Sequence, residues 1–356
     1  MAFDFPNTPA EGATYSPANG PQYIFQNGVW KQVLGGQSPV LTAVRNNLLV
    51  NGSFIISQEH GGAAIGTSGQ FPADQWSLIF SAGYAGSAQR FLALGKYGVA
   101  IQNVIHAAAA GAEIFALLQT IEGLRLTPLN WGVADAIPAV LNFKTAASAA
   151  GTYCVSLREG AGTKSIVFDL PTTGALTEWT FPIPAQTSGN WSFGSTAPAG
   201  WLTLAHSVGP TYRTPTTGAW VDGNFLASTN MTNNLSIATN LQIFDAALYP
   251  DPQGTGRAPP YVDNLYTDDL NTCYRYYWKP GDVMNLVAYI ADFSYRILND
   301  RFPVVMRTTP SMTGTVSLGS PKGVAATAPF SYTASAQAVA TGSGCSISDL
   351  VANARM

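Results

Sequence analysis

Thr152-Tyr-Cys-Val-Ser-Leu-Arg158 and, after a glycine-rich break, Lys164-Ser-Ile-Val-Phe-Asp169 decide how this chain is read. Each is a short run rich in β-branched and aromatic residues, and each is bounded by turn formers. The same text recurs at Leu176-Thr-Glu-Trp-Thr-Phe181, Trp201-Leu-Thr-Leu-Ala-His206 and Leu241-Gln-Ile-Phe-Asp-Ala246. Several of these runs alternate polar with apolar residues, and no amphipathic helices intervene. Regularly spaced strands of this kind predict an antiparallel β-sandwich of jelly-roll type over residues 41–258. The alanine-rich stretch Val104 to Leu118 is compatible with helix on propensity and with strand by its neighbours and Gly111.

Working outward, residues 1–40 form a separate segment in which five prolines punctuate short aromatic stretches. Tyr23-Ile-Phe-Gln26 and Val29-Trp-Lys-Gln32 flank Asn27-Gly28, a strong hairpin signal that sets Phe25 opposite Trp30. A lone hairpin is marginal in water, so Tyr15, Tyr23, Phe25 and Trp30 are expected to pack on the following domain or on a partner. On the other side, residues 259–281 change character. From Asp263, a plausible N-cap, to Trp278, the aromatic and apolar residues Tyr266, Leu270, Cys273, Tyr274 and Tyr277 recur at three- and four-residue spacing, which predicts one amphipathic helix stopped by Pro280-Gly281. Its stripe is large for its length, and Tyr266, Leu270, Cys273 and Tyr277 are expected to form an oligomer interface with sister chains. Residues 282–356 return to strand-like text and are expected to form a small C-terminal β domain.

The 356-residue chain is 46% hydrophobic but only 10% charged, with 35 Gly and 23 Pro. Its net charge of -3 and lack of a Lys/Arg run offer no footprint for a phosphate backbone or an acidic membrane. The most apolar run, Ala107 to Ile121, is broken by Glu113 and is too short to span a bilayer. Met1 to Pro9 carries no signal-peptide pattern, so the protein is expected to be made and kept in a cytosol before use. Cys154, Cys273 and Cys345 are odd in number and widely spaced, which fits buried thiols better than a disulfide framework.

Motifs for chemistry are scarce. There is no G-x-S-x-G, P-loop, G-x-G-x-x-G after a strand or H-E-x-x-H, and His60, His106 and His206 sit in unrelated contexts. No catalytic residue is assigned, and no resident cofactor. Asp222-Gly-Asn224, Asp251 and Asp268-Asp269 offer oxygen ligands of the kind calcium uses, but none has EF-hand spacing, and ordinary turn and cap roles are the expectation. The aromatic residues, 17 Phe, 15 Tyr and 8 Trp, are the strongest clue. Trp131, Trp191, Tyr212 and Trp220 lie among loop residues, where a flat apolar face beside polar groups suits stacking on a sugar ring.

Several stretches then resemble, in order, the carbohydrate-binding, jelly-roll-like modules of bacteriophage tail fibres and other virion proteins. They are Asn47-Leu-Leu-Val-Asn-Gly-Ser-Phe54 followed by Ala73-Asp-Gln-Trp76, Trp220-Val-Asp-Gly-Asn-Phe-Leu-Ala227, and Leu241 to Tyr249. Pro260-Tyr261 to Cys273-Tyr-Arg-Tyr-Tyr277 is similar to a P-y-x-x-E-L-x-x-C-x-R-Y-Y signature, with Thr267-Asp-Asp-Leu270 in place of the glutamate context. Phe302 to Pro310 resembles a strand of the domain that follows in such fibres, and residues 1–40 look like their virion-attachment segments. The resemblance implies a virion protein assembled in the bacterial cytoplasm, commonly a homotrimer, anchored through residues 1–40 and displaying a sandwich to host-surface glycans. A head fibre or capsid decoration protein, an adaptor without glycan affinity, and a particle-borne glycan-active enzyme are the alternatives.

Overall fold

The computed structural model describes residues 9–11, 13–15, 23–26, 29–32, 47–233, 235, 239–280, 284–286, 295–317, 320–337 and 345–356. The chain divides into two compact units, residues 1–46 with 259–262, and residues 47–258 with 263–356.

In the first unit, β1 (Thr14–Tyr15), β2 (Tyr23–Gln26) and β3 (Val29–Gln32) form an antiparallel sheet in that order. Phe25 stands opposite Trp30, as the hairpin reading requires, with ring centroids 5.4 Å apart. Tyr15 adds an edge contact to Trp30 at 6.1 Å, so a third strand supplements the hairpin. The Asn27-Gly28 turn and the side chains of Tyr23 and Cys345 lie outside the described residues.

The second unit is built on two antiparallel sheets. One runs β14 (Trp220–Asp222), β10 (Lys164–Thr172), β9 (Gly151–Glu159), β12 (Pro198–Val208), β7 (Ile114–Glu122) and β4 (Trp76–Phe80). The other runs β11 (Thr177–Ile183), β8 (Ala139–Ala147), β16 (Asn240–Pro250), β6 (Lys96–Ile105) and β5 (Ala85–Ala93). Their inner faces meet in one core: Trp76, Leu117, Val155, Leu157, Ile166 and Leu204 from the first sheet face Val99, Ile101, Leu141, Phe143, Ile243 and Leu248 from the second. The protein is mainly β, and this sandwich is the larger part of the second unit. Each such fully buried side chain contributes about 1.5–3 kcal/mol relative to exposure.

The covering of the outer faces explains the strand texts. Edge strand β11 alternates half-buried with exposed residues, as one wet face demands. Strand β9 is buried on both faces beyond its first turn. The segment 209–231 lies over it, packing Leu226, Ala227 and Met231 on Cys154, Val167 and Ala205. Arg213 pins that segment by donating to the Val208 and Met231 carbonyls. The alanine-rich stretch is not helical: β6 ends at Ile105, β7 starts at Ile114, and Gly111 turns between them at φ +48°.

The predicted helix exists but is shorter, α2 (Tyr266–Tyr274), after a single-turn α1 (Gly123–Leu126). Asp263 does not cap it. The N-cap is Leu265, and Tyr277-Trp278 pairs as β17 with the C-terminal strand at Asn353 and Ala352. Cys273 and Tyr276 are buried with Val50 and Ile56 of the same chain. Tyr277 is 3% exposed. Cys273 and Tyr277 therefore face their own chain, which corrects the expectation that they grip a partner. Tyr266 stays exposed and Leu270 half-buried.

Strands β18 (Met284–Leu286), β19 (Tyr295–Arg301), β20 (Ser311–Ser317), β21 (Ser320–Ala328), β22 (Ser331–Gln337) and β23 (Cys345–Asn353) complete the unit. Trp278, Phe302 and Tyr332 meet ring to ring at 5.2–5.7 Å and anchor a second, small core with Met306 and Leu350. Ion pairs tie this region to the sandwich. Glu122, 1% exposed, accepts from Arg275 and the Tyr276 hydroxyl, and Arg355 pairs with Glu59 between the Phe71 and Tyr277 rings.

Candidate functional site

Three of the four aromatic residues singled out by the sequence converge. Trp131, Trp191 and Trp220 pack edge to face, with centroids 4.7, 5.4 and 5.6 Å apart, and each indole N–H donates to a backbone carbonyl, of Ile137, Ser188 and Pro184 respectively. Trp131 and Trp191 are 1% and 2% exposed. Burial leaves those two no face for a sugar, and what they do is lock the loops 127–137 and 184–198 at one end of the sandwich. Trp220 is half-buried on the edge strand β14. Tyr212, also half-buried, lies on a 3-10 turn over the apolar cluster around Cys154.

A cleft opens elsewhere, on the outer side of the five-stranded sheet. Between β16 and β8 the register shifts from Phe244 to Ala247, and Asp245 inside that bulge takes a left-handed φ of +51°. A bulge re-aims a side chain, and here it turns the carboxylate toward two lysines. Lys96 lies 2.9 and 3.0 Å from its two oxygens, and Lys144 2.8 Å from one. The hydrogen bond to Asp245 holds the Lys144 ammonium above the usual lysine range, although partial burial opposes it. Asp263, freed from capping the helix, lies 3.9 Å from Lys96 on the other side.

Ser53, Ile55, Lys96, Tyr97, Asp245 and Asp263 line this cleft of about 120 Å³. A smaller apolar hollow shares Lys96 and Asp245 and adds Leu94, Leu176 and Phe244. Leu94 and Leu176 are exposed at 84% and 46%, so an apolar rim borders the charged floor. One concavity thus offers an ammonium, the exposed Asp263 carboxylate and an aromatic ring around the lysine-paired Asp245. Such a set hydrogen-bonds a polyhydroxylated ligand and supports its apolar ring faces. Sequence reasoning passed over these residues because they come from four separate stretches. The available signal was scarcity: with 17 Lys and Arg in 356 residues, a half-buried lysine is informative.

Apart from Asp268, the side-chain oxygens considered for calcium are engaged by protein donors. Asp222 pairs with Lys164, and Asn224 accepts from Arg158. Asp251 accepts the Gly256 N–H and Thr255 hydroxyl, and Asp269 accepts from Ser53 and Asn264. Among the described residues, no three His, Cys, Asp or Glu side chains are arranged so that they could hold a metal ion. Cys154 and Cys273 are free and buried, and burial pushes the Cys154 thiol up to about 12.

No family model matches the sequence, and no curated protein matches it. Solved structures do. The enzymatically active domain of tailspike protein 4 of bacteriophage CBA120 is similar over 58% of this chain and 21% of its own, at 13% identity and TM-score 0.30. A family 11 carbohydrate-binding module of a Clostridium thermocellum cellulosomal cellulase is similar over 53% of this chain and 96% of its own, at 8% identity and TM-score 0.29. The N-terminal cellulose-binding domain of a Cellulomonas fimi β-1,4-glucanase is similar over 56% and 93%, at 16% identity and TM-score 0.27. At these scores the likeness assigns neither ligand nor activity to this chain.

Proposed function

We propose that the protein is a non-catalytic virion component of a bacteriophage, a tail fibre or other receptor-binding part, whose sandwich binds a host-surface glycan. The observation that carries the glycan reading is the cleft around Lys96, Asp245 and Asp263. Its polar groups converge while Tyr97, Leu94 and Phe244 supply apolar surface, the combination a sugar needs. The virion reading is supported by the ordered sequence resemblance and by the aromatic sheet of β1, β2 and β3, with Phe25 and Trp30 as its docking rings. The assembled form is expected to be a homotrimer.

Affinity electrophoresis of the full chain through gels carrying host-surface polysaccharide tests the first half. Retardation is expected, and unchanged mobility across polysaccharides of susceptible hosts overturns it. Deleting residues 1–40 tests the second: particles assembled with the shortened chain are expected to lack it, and normal incorporation refutes the anchor. The placement of two carboxylates at one cleft also favours a glycosidase reading. Against it, both Asp245 oxygens are occupied by lysine ammonium groups, which leaves no free face to activate water. Release of reducing ends from bound polysaccharide, abolished by Asp245→Asn, is the result that would establish the enzyme.

A further inference from the structure

The outer face of the six-stranded sheet holds a cation that the chain does not neutralise. Arg158, on β9, is only 6% exposed. A guanidinium carries five N–H donors. Arg158 uses two, from Nη1 to the Asn224 Oδ1 at 2.6 Å and from Nη2 to the Thr203 hydroxyl at 3.2 Å, while its Nε has no partner. Among the described residues no carboxylate pairs with it. By contrast, Arg275 and Arg355 meet glutamates, and Arg125 donates to three backbone carbonyls. A buried charge lacking an opposite charge is costly to keep. Burial accordingly pushes the Arg158 guanidinium down to about 10.

The surroundings indicate what would complete it. Register places Arg158 opposite Trp201 and Ser156 opposite Thr203, so all four side chains share the outer face. The guanidinium lies 5.0 Å from the centre of the half-exposed Trp201 indole, and the buried Ser156 hydroxyl has no partner. Asn224, whose oxygen occupies Nη1, is itself half-exposed beside Gly223 at φ +131°. The group on Nη1 is thus a half-exposed amide at the edge of the segment 209–231 that overlies β9. The one lysine nearby in sequence, Lys164, is already paired with Asp222, so the site presents a single positive charge.

We propose that this face reads the carboxylate of an acidic sugar. The carboxylate replaces the Asn224 amide on Arg158, and the sugar ring rests against Trp201. The proposal rests on the glycan reading above and adds the class of sugar, a hexuronate or similar monoanion, at a site separate from the Lys96 cleft.

The test titrates the full chain with galacturonate and mannuronate oligomers, with their methyl esters, and with neutral oligosaccharides from a polysaccharide that retards it in gels. The free acids are expected to bind at least about tenfold tighter than the esters, the worth of one charge-assisted hydrogen bond. Arg158→Met is expected to erase that difference while leaving neutral binding unchanged, and Asn224→Ala, which uncovers the guanidinium, to tighten the acids. Equal binding of acids and esters, or a preference that survives Arg158→Met, overturns the proposal while the glycan reading stands. Absence of binding by every oligosaccharide, acidic or neutral, overturns both. If Arg158→Met does not fold, Asn224→Ala decides: no change in acid affinity overturns the proposal.

Discussion

Lowering the pH should weaken the sandwich through one residue, His206. The register shift between Ala205 and Ser207 in β12 places its ring in the interior, 5.4 Å from Tyr153 and 6.3 Å from Phe115, fully buried. Neither ring nitrogen has a hydrogen-bond partner, and burial drives the imidazole from 6.5 down to about 3. Between those values the unfolded chain binds a proton that the folded one refuses, so stability is intact above pH 6.5 and falls as the pH drops toward 3. Each pH unit costs about 1.4 kcal/mol, so the loss at pH 5 is about 2 kcal/mol, or about 3 °C in Tm for a cooperative unit of about 300 residues. Burial raises Asp74 and Asp269, which act in the opposite direction: their protonation stabilises the fold as pH falls. The informative quantity is therefore the difference between the wild type and His206→Leu, measured by thermal denaturation from pH 7 to 4. Leucine is close in volume and leaves no orphaned nitrogen, so at pH 7 the variant should match or exceed the wild type. The two curves should diverge by about 2 kcal/mol at pH 5. Parallel curves over the whole range would refute the placement of an uncharged, unbonded histidine in the core.

Trp131→Ala should cost about 3–5 kcal/mol by emptying the centre of the tryptophan cluster, without altering glycan retention in gels; a change in retention with an unchanged Tm would give this ring a ligand role instead. Gly123→Ala should fail to fold normally, because an added Cβ would lie 2.0 Å from the Ser192 carbonyl oxygen; a Tm within 2 °C of wild type, about 1 kcal/mol or less, would show that the 192–195 loop yields freely. Light scattering of the full chain should give a mass near three chains, whereas a monodisperse monomer would remove the trimer from the account.

The sequence was most readable where local rules govern. Asn27-Gly28 forecast the facing of Phe25 and Trp30 because a two-residue turn fixes register. Strands β9 to β12 were recognisable from β-branched runs set between glycine-rich breaks. Reading failed where distant segments decide. The helix lost its last turn because Tyr277-Trp278 pairs with residues near the end of the chain. Asp263 faces Lys96 at 3.9 Å instead of capping. Trp131 and Trp191 had the composition of a loop platform, yet two loops converge to bury them against Trp220 on β14, a fact of tertiary packing with no local signature. Asp245 was hidden for another reason. A bulge has no sequence code here, and without it the residue reads as one more polar position in a strand.

The central claim, that the Lys96 cleft holds a glycan, is tested most directly by titrating one polysaccharide fragment into the wild type and into a Lys96→Ala/Asp263→Asn variant. Lys96 bridges the buried Asp245, so the Tm of the variant is expected to fall, but Lys144 still pairs that carboxylate and binding is compared at a temperature well below both transitions. The account predicts saturable binding by the wild type and an affinity at least about tenfold lower in the variant. Equal affinities, or no saturable binding by the wild type, would contradict it.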